Sequence, residues 1–289
     1  MNYEMEADWI VNMLCNYNCI YCFSRSDVES RGVLELPPQQ YADFFTKTGK
    51  TWMLHMSGGE PFVHNRAIDV MVALSKDHFL SFNTNGTQTE RLKRFADLVT
   101  PDRVQYFHIG THLLERERHH GWDVLFANMR MLREAGFMVF GSLVMEKSVI
   151  LQFESLAKLM WEETGCVLIP KSERSLTDAN LYTHEEKELL RGFVDEIISN
   201  HPEFLDLYTI NPLKDIKYLS GFPDFKGHDC RAGVQFVKID EFGVIWRCER
   251  KEKLGNIAEG WLNLHPAPYK CQEQFCPYYC LKYSLLEGK

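Results

Sequence analysis

From residue 9 to residue 199 the chain alternates short β-prone apolar runs with longer stretches whose apolar residues recur at helical spacing, and no other feature limits its fold so tightly. The runs cover residues 9–14, 52–56, 79–82, 103–109, 137–144 and 165–169. Residues 39–47, 65–76, 90–98, 122–134, 153–163 and 184–199 read as helices, the first started by Pro37-Pro38 and the fourth stopped at Gly136. Strands that alternate with helices across short loops make βαβ units, and right-handed crossovers gather these into a curled parallel sheet. The fold class expected is α/β, a partial (β/α)6 barrel of the TIM type. In such folds functional residues sit on loops at the C-terminal ends of the strands.

Three of the strands run directly into turns that carry chemistry. The first ends in Cys15-Asn-Tyr-Asn-Cys19-Ile-Tyr-Cys22, the second in Ser57-Gly58-Gly59-Glu60-Pro61, the third in Asn83-Thr84-Asn85-Gly86. The first supplies three thiolates, one short of the four that normally hold a 4Fe–4S cluster. Zinc knuckles need paired C-x2-C units, and nothing near Cys15 provides a second pair. Three cysteine ligands leave one iron open for a small molecule. The bland alternative is three cysteines buried in a reduced core.

Charge and composition exclude several classes. Forty acidic against 32 basic residues give a net charge of −8, without the basic footprint of a nucleic-acid binder. The acidic start and the lack of a span-length apolar run give no sign of a signal peptide or membrane segment. Nine cysteines in such a chain point to metal ligation in a reducing compartment, so a cytoplasmic location is expected.

The three cysteines with Tyr21 before the last, the Gly-Gly-Glu turn and the Asn-Thr-Asn-Gly turn, in this order, resemble the radical S-adenosylmethionine (radical SAM) superfamily. The resemblance implies that Cys15, Cys19 and Cys22 hold a 4Fe–4S cluster whose open iron binds SAM. An electron from that cluster would cleave SAM to methionine and a 5′-deoxyadenosyl radical that removes a hydrogen atom from substrate. It implies cofactor contacts at Gly58, Gly59, Glu60, Asn83, Thr84 and Asn85, with Ser142 as a ribose candidate and Tyr21 either against adenine or packing the cysteine loop. The two glycines are read as letting the backbone approach the ligand with no Cβ in the way.

The pattern changes near residue 201. Residues 201–229, rich in Pro, Gly, Asp and Lys, read as a connection between a barrel at 1–200 and an extension at 230–289. The extension opens with a hairpin, residues 234–239 and 244–246, and closes with a short helix near 275–286. It carries Cys230, Cys248, Cys271, Cys276 and Cys280, a pattern similar to the twitch or SPASM extension. One auxiliary 4Fe–4S cluster is implied, with Cys230, Cys248 and Cys280 as ligands and either Cys271 or Cys276 as the fourth. The remaining thiol is a spare or a catalytic hydrogen donor. A structural zinc would use the same thiolates. Cys166, at the start of its strand, is expected in the core.

The fourth strand ends in His108-Ile-Gly-Thr111-His112, followed by Glu115, Glu117, His119 and His120, and Lys171, Glu173 and Arg174 follow the sixth. Both groups are expected to meet substrate, to be solvated or, for the first, to hold a single metal ion. Because the cysteine motif starts at Cys15, with no room for a leader-binding domain before it, a small polar metabolite (a sugar or aminocyclitol) is the expected substrate, oxidised or epimerised. The alternatives are a peptide maturase with a separate recognition protein and a non-catalytic electron carrier. An external electron donor such as flavodoxin or ferredoxin is the expected partner.

Overall fold

The computed structural model describes residues 1–22, 33–173, 182–204, 224–248 and 252–274. In chain order the elements are β1 (Met5–Asn12), α1 (Pro38–Thr46), β2 (Trp52–Gly58), α2 (Ala67–Ser75), β3 (Phe79–Thr84), α3 (Thr89–Leu98), β4 (Val104–Gly110), α4 (Leu113–Arg118), α5 (Trp122–Glu134), β5 (Val139–Met145), α6 (Phe153–Thr164), β6 (Leu168–Ser172) and α7 (His184–Asn200). Short strands follow: β7 (Asp229–Cys230), β8 (Phe236–Ile239), β9 (Val244–Trp246), β10 (Lys253–Asn256), β11 (Trp261–Leu262) and β12 (Tyr269–Lys270). The six β/α alternations are those the sequence predicts. The helix expected near 275–286 lies outside the described residues. No helix among the described residues is long and apolar enough to cross a membrane.

The chain forms two units, divided within β5 after Phe140; the first also takes in residues 231–268. Its strand order is β11-β10-β9-β8-β1-β2-β3-β4, with β1 through β4 parallel. Helices cover one face, where Trp9 meets Tyr41 and Phe45 of α1 at 5.7 Å between ring centroids. Phe62, Phe82, Phe95 and Phe107 form the heart of this core, with Phe82 4.8 Å from Phe107 and 5.0 Å from Phe95. All four are fully buried, worth roughly 1.5–3 kcal/mol each by area. Phe62 directly follows the Gly-Gly-Glu-Pro turn, so this core also anchors that turn.

The opposite face of β1 is polar, which is why the strand starts at Met5 rather than at residue 9. Glu6 and Asp8 alternate with the helix-facing Ala7 and Trp9, so charge there does not break the strand. Glu6 pairs with His55 at 3.5 Å, and His55 Nδ1 lies 2.6 Å from Ser81 Oγ. Lys238 of β8 lies 3.7 Å from Asp8. Burial lifts the Tyr106 phenol well above its usual range on this same face.

The hairpin forms as expected, β8 against β9, with its turn held by Asp240, which accepts from the Phe242 and Val244 amides and from Trp246 Nε1. Its placement was not visible beforehand: β8 pairs in parallel with β1, Glu6 opposite Phe236 and Trp9 opposite Ile239.

In the second unit β5 and β6 are parallel, and α6 meets α7 through Phe153 and Phe193, 4.7 Å apart. A capping box between Thr183 and Glu186 starts α7. Cys166 is 2% exposed, a core residue as expected. β7 and β12 pair antiparallel, Cys230 opposite Tyr269.

Candidate active site

The cysteine loop leaves β1 at Asn12, which is wholly buried. Asn12 Nδ2 donates to the Glu60 carbonyl at 3.2 Å, and its Oδ1 accepts from the Leu14 amide at 2.8 Å. The Gly59 and Glu60 amides donate to the carbonyls of Asn12 and Leu14 at 2.8 and 2.7 Å, so the turn after β2 continues the parallel pairing into the loop. A Cβ on Gly58 would lie 2.2 Å from the Asn12 carbonyl oxygen, and one on Gly59 2.1 Å from that of Leu14. The clearance these glycines provide here is for the backbone that leads to Cys15. Gly58 also has φ of +133°, strained for any other residue. Gly59→Ala is expected to push the cysteine loop away from the turn and lower bound iron at least severalfold, read by iron assay of reconstituted protein. A variant with full iron would show that this contact does not position the loop.

Glu60 ties the second turn to the third. Its buried carboxylate accepts from Thr84 Oγ1 at 2.7 Å, the Asn85 amide at 2.6 Å and the Phe62 amide at 3.0 Å. Burial pushes this carboxyl up from its ordinary range, against those donors and the charge of Arg116, which favour the anion. Asn85 reaches back to the cysteine loop, Nδ2 to Asn16 Oδ1 at 2.9 Å, while its Oδ1 accepts from Thr87. Glu60, Thr84 and Asn85 thus brace one another, and Asn83 is the exposed member of its turn.

The segment after β4 closes the site, and the solvated loop expected there is found in part: Glu117, His119 and His120 are exposed, while Thr111 and Glu115 are buried. Glu115, 4% exposed, accepts from the Asn18 amide at 3.1 Å and is paired with Arg118. Arg116 is wholly buried, donating to the carbonyls of Asn85 at 2.5 Å and Thr111 at 3.2 Å. Its guanidinium lies 5.2 Å over the Tyr17 ring, whose other contacts include His119, stacked at 5.4 Å. Burial pulls the guanidinium down from its ordinary value, opposed by Tyr17 and Glu60. His112 Nδ1 lies 3.3 Å from Cys19 Sγ and 3.1 Å from the Tyr21 hydroxyl, with Tyr21 stacked on the imidazole.

The donor set suits an iron–sulfur cluster. Cys15 is exposed, Cys22 half-buried and Cys19 buried, with the Cys22 amide donating to the Cys19 carbonyl at 3.2 Å. Burial, then the neighbouring thiols, pushes Cys19 up to about 12. Three thiols gathered in one loop are a donor set that the positive charge of iron suits. Among the described residues no group of three or more His, Cys, Asp or Glu is arranged around one metal ion. A cluster asks for something else, one thiolate per iron.

Other candidates fall elsewhere. Ser142, Lys171 and Glu173 lie in the second unit, Ser142 buried; Arg174 lies outside the described residues. Cys230 and Cys271 share the second unit, where the Cys271 amide donates to the His228 carbonyl and the Gly227 amide to the Cys271 carbonyl, both at 2.8 Å. Cys248 follows β9 in the first unit. Cys276 and Cys280 lie outside the described residues. Sequence reasoning missed Asn12, Asn16, Tyr17 and Arg116. One signal was present: His112, Arg116 and His119 recur at helical spacing, although His112 and His119 flank α4 rather than lie within it.

The profile of the Radical SAM superfamily matches residues 9–160. No curated protein matches the chain. Among solved structures, native anSMEcpe with bound AdoMet and Kp18Cys peptide superposes with a TM-score of 0.60 at 15% identity, over 88% of this chain and 77% of that one. Streptococcus suis SuiB bound to S-adenosylmethionine gives 0.61 at 15%, over 89% of this chain and 64% of that one. SuiB bound to precursor peptide SuiA gives 0.56 at 15%, over 85% and 60%. At such identities the likeness is one of fold, that of the partial (β/α) barrel. With the profile spanning more than half of the 289 residues and three thiols held by the turns after β2, β3 and β4, the chain belongs to the radical SAM superfamily.

Proposed function

We propose that this enzyme cleaves SAM reductively and oxidises a residue of a peptide, with the C-terminal cysteines holding an auxiliary 4Fe–4S cluster. The observation that carries the first half is the cysteine loop braced by the turns after β2, β3 and β4. When bound, the cluster supplies the electron for SAM cleavage and the open iron that SAM chelates. Cys15, Cys19 and Cys22 would hold it, while Asn12, Glu60, Asn85 and Arg116 fix the loop that presents them. The peptide reading is supported by fold likeness over 88% of the chain to an enzyme crystallised with a peptide, and by that to SuiB with its precursor peptide. It replaces the small polar metabolite as the leading substrate class.

A specific observation favours the metabolite as a second reading. Glu6, Asp8, His55, Ser81 and Lys238 give one face of the first unit's sheet a dense set of hydrogen-bonding groups suited to a polyol or amine. An external one-electron donor of the flavodoxin or ferredoxin kind completes the scheme in either case.

The test is anaerobic incubation of reconstituted enzyme with SAM, dithionite and peptides encoded beside its gene. A peptide lighter by two hydrogens, formed with an equal amount of 5′-deoxyadenosine, is expected. Unchanged peptides, with turnover on polyols instead, would favour the second reading.

For the auxiliary site we propose Cys230, Cys248, Cys271 and Cys280 as ligands. Cys271 is taken as the fourth because its backbone bonds to Gly227 and His228 and the β7–β12 pairing set it near Cys230. Cys271→Ala is therefore expected to lose roughly half of the iron, one of two four-iron clusters, and Cys276→Ala to keep all of it. The opposite iron contents would exchange the two roles. If Cys276→Ala instead keeps its iron and still forms 5′-deoxyadenosine but yields no product, that thiol returns hydrogen to substrate.

A further inference from the structure

We infer that His112 donates a hydrogen bond from Nδ1 to the sulfur of Cys19 and thereby makes the SAM-binding cluster easier to reduce. The inference rests on Cys19 being a cluster ligand. Three observations lead to it.

The first is distance: Nδ1 lies 3.3 Å from Cys19 Sγ, within range of an N–H···S bond. A ligating sulfur carries no proton and only accepts, so the hydrogen sits on Nδ1. The Tyr21 oxygen, 3.1 Å away, shares it.

The second is backbone conformation. His112 has φ of 48° and ψ of 58°, in the left-handed region that side chains other than glycine seldom adopt. Such strain persists where the surroundings enforce it, and it gathers at functional sites. Here it turns the imidazole back from the start of α4 onto the cysteine loop.

The third is the room made for the ring. A Cβ on Gly110 would lie 2.3 Å from His112 Nε2, so the residue that ends β4 must be glycine for the imidazole to lie where it does. Tyr21 stacks on one side of the ring and Tyr17 meets it edge-on at 5.9 Å. A strained backbone, a glycine floor and two aromatic neighbours hold one nitrogen against one sulfur.

Hydrogen bonds to cluster sulfurs are among the levers that set reduction potential. Reduction adds negative charge to the cluster and its thiolates, so a donor on Cys19 stabilises the reduced form more than the oxidised one. His112 is thus a positioning and tuning residue that acts through Cys19.

The test uses SAM-free, reconstituted protein labelled with 15N-histidine and reduced with dithionite. Pulsed electron paramagnetic resonance should detect one histidine nitrogen coupled to the cluster spin, and His112→Phe should abolish that coupling. In the same variant the equilibrium constant for reduction should fall about tenfold, a midpoint about 59 mV more negative, with iron unchanged. His112→Gln, which keeps an N–H donor, should recover part of the shift. If His112→Phe fails to hold iron, the labelled wild type and His112→Gln decide. No histidine coupling in the wild type, or an unshifted midpoint in a variant with full iron, would overturn the inference. Absence of any cluster in the wild type would instead overturn the reading on which it rests.

Discussion

Cys15→Ala, Cys19→Ala and Cys22→Ala combined are expected to abolish 5′-deoxyadenosine formation, the largest single effect on activity in this chain. The loss should be complete because the three thiols are the cluster's protein ligands, and without them SAM has no iron to chelate. Folding should survive, since Cys15 is exposed, Cys22 is half-buried, and the loop is held by the Gly59 and Glu60 amides and, through the Asn18 amide, by the Glu115 carboxylate, none of which involves sulfur. The triple variant should keep roughly half of the iron, in the auxiliary cluster. Iron assay beside product chromatography decides it. A triple variant still producing 5′-deoxyadenosine would contradict the assignment of these ligands, and a wild type holding only four irons would remove the auxiliary cluster.

Glu60→Ala is expected to have the largest effect on stability. It strips the partner from one buried hydroxyl and two buried amides at once, those of Thr84, Asn85 and Phe62. Buried donors left without acceptors cost about 1–3 kcal/mol each, and losing a buried charge that faces Arg116 adds to this, so a loss of at least about 3 kcal/mol is expected. SAM affinity should fall at least tenfold as the second and third turns separate. Glu60→Gln keeps the shape but sets an amide nitrogen against at least one donor, and should lie between the two. Urea unfolding and equilibrium SAM binding report each part. An alanine variant as stable as wild type would mean that Glu60 is not the brace between the turns.

The alternation of strands and helices was legible because each element carries its own period in the residues, 2 or 3.6. The three chemistry-bearing turns were legible for the same reason: each begins where an apolar run stops. That Gly58 and Gly59 clear the backbone of Asn12 and Leu14 was not, because those contacts arise from parallel register between strands more than forty residues apart. Arg116 was hidden for a different reason. In a run of Glu, Arg and His the default is solvation, and only the carbonyls of Asn85 and Thr111 turn one of those charges inward. Likewise, Glu6 and Asp8 read as the end of a strand until the polar face that receives them is known. Sequence favours a local hairpin at β8 and β9, and four residues of β8 say nothing about which distant strand they will join.

That distant pairing governs how the protein can be made. β1 leaves the ribosome well before its partner on one side, β8, which arrives more than two hundred residues later. Until then one row of β1 amides and carbonyls stays open, an edge on which a second nascent chain could add a strand. The polar residues of β1, Glu6 and Asp8, lie in that interval and discourage such pairing, since charge blunts an open edge. The long loop that must close before β1 is covered also makes the last step of folding slow. With closure late, soluble yield is expected to rise on dilution, at low temperature or with a chaperone, while β2, β3 and β4 can assemble early from near neighbours.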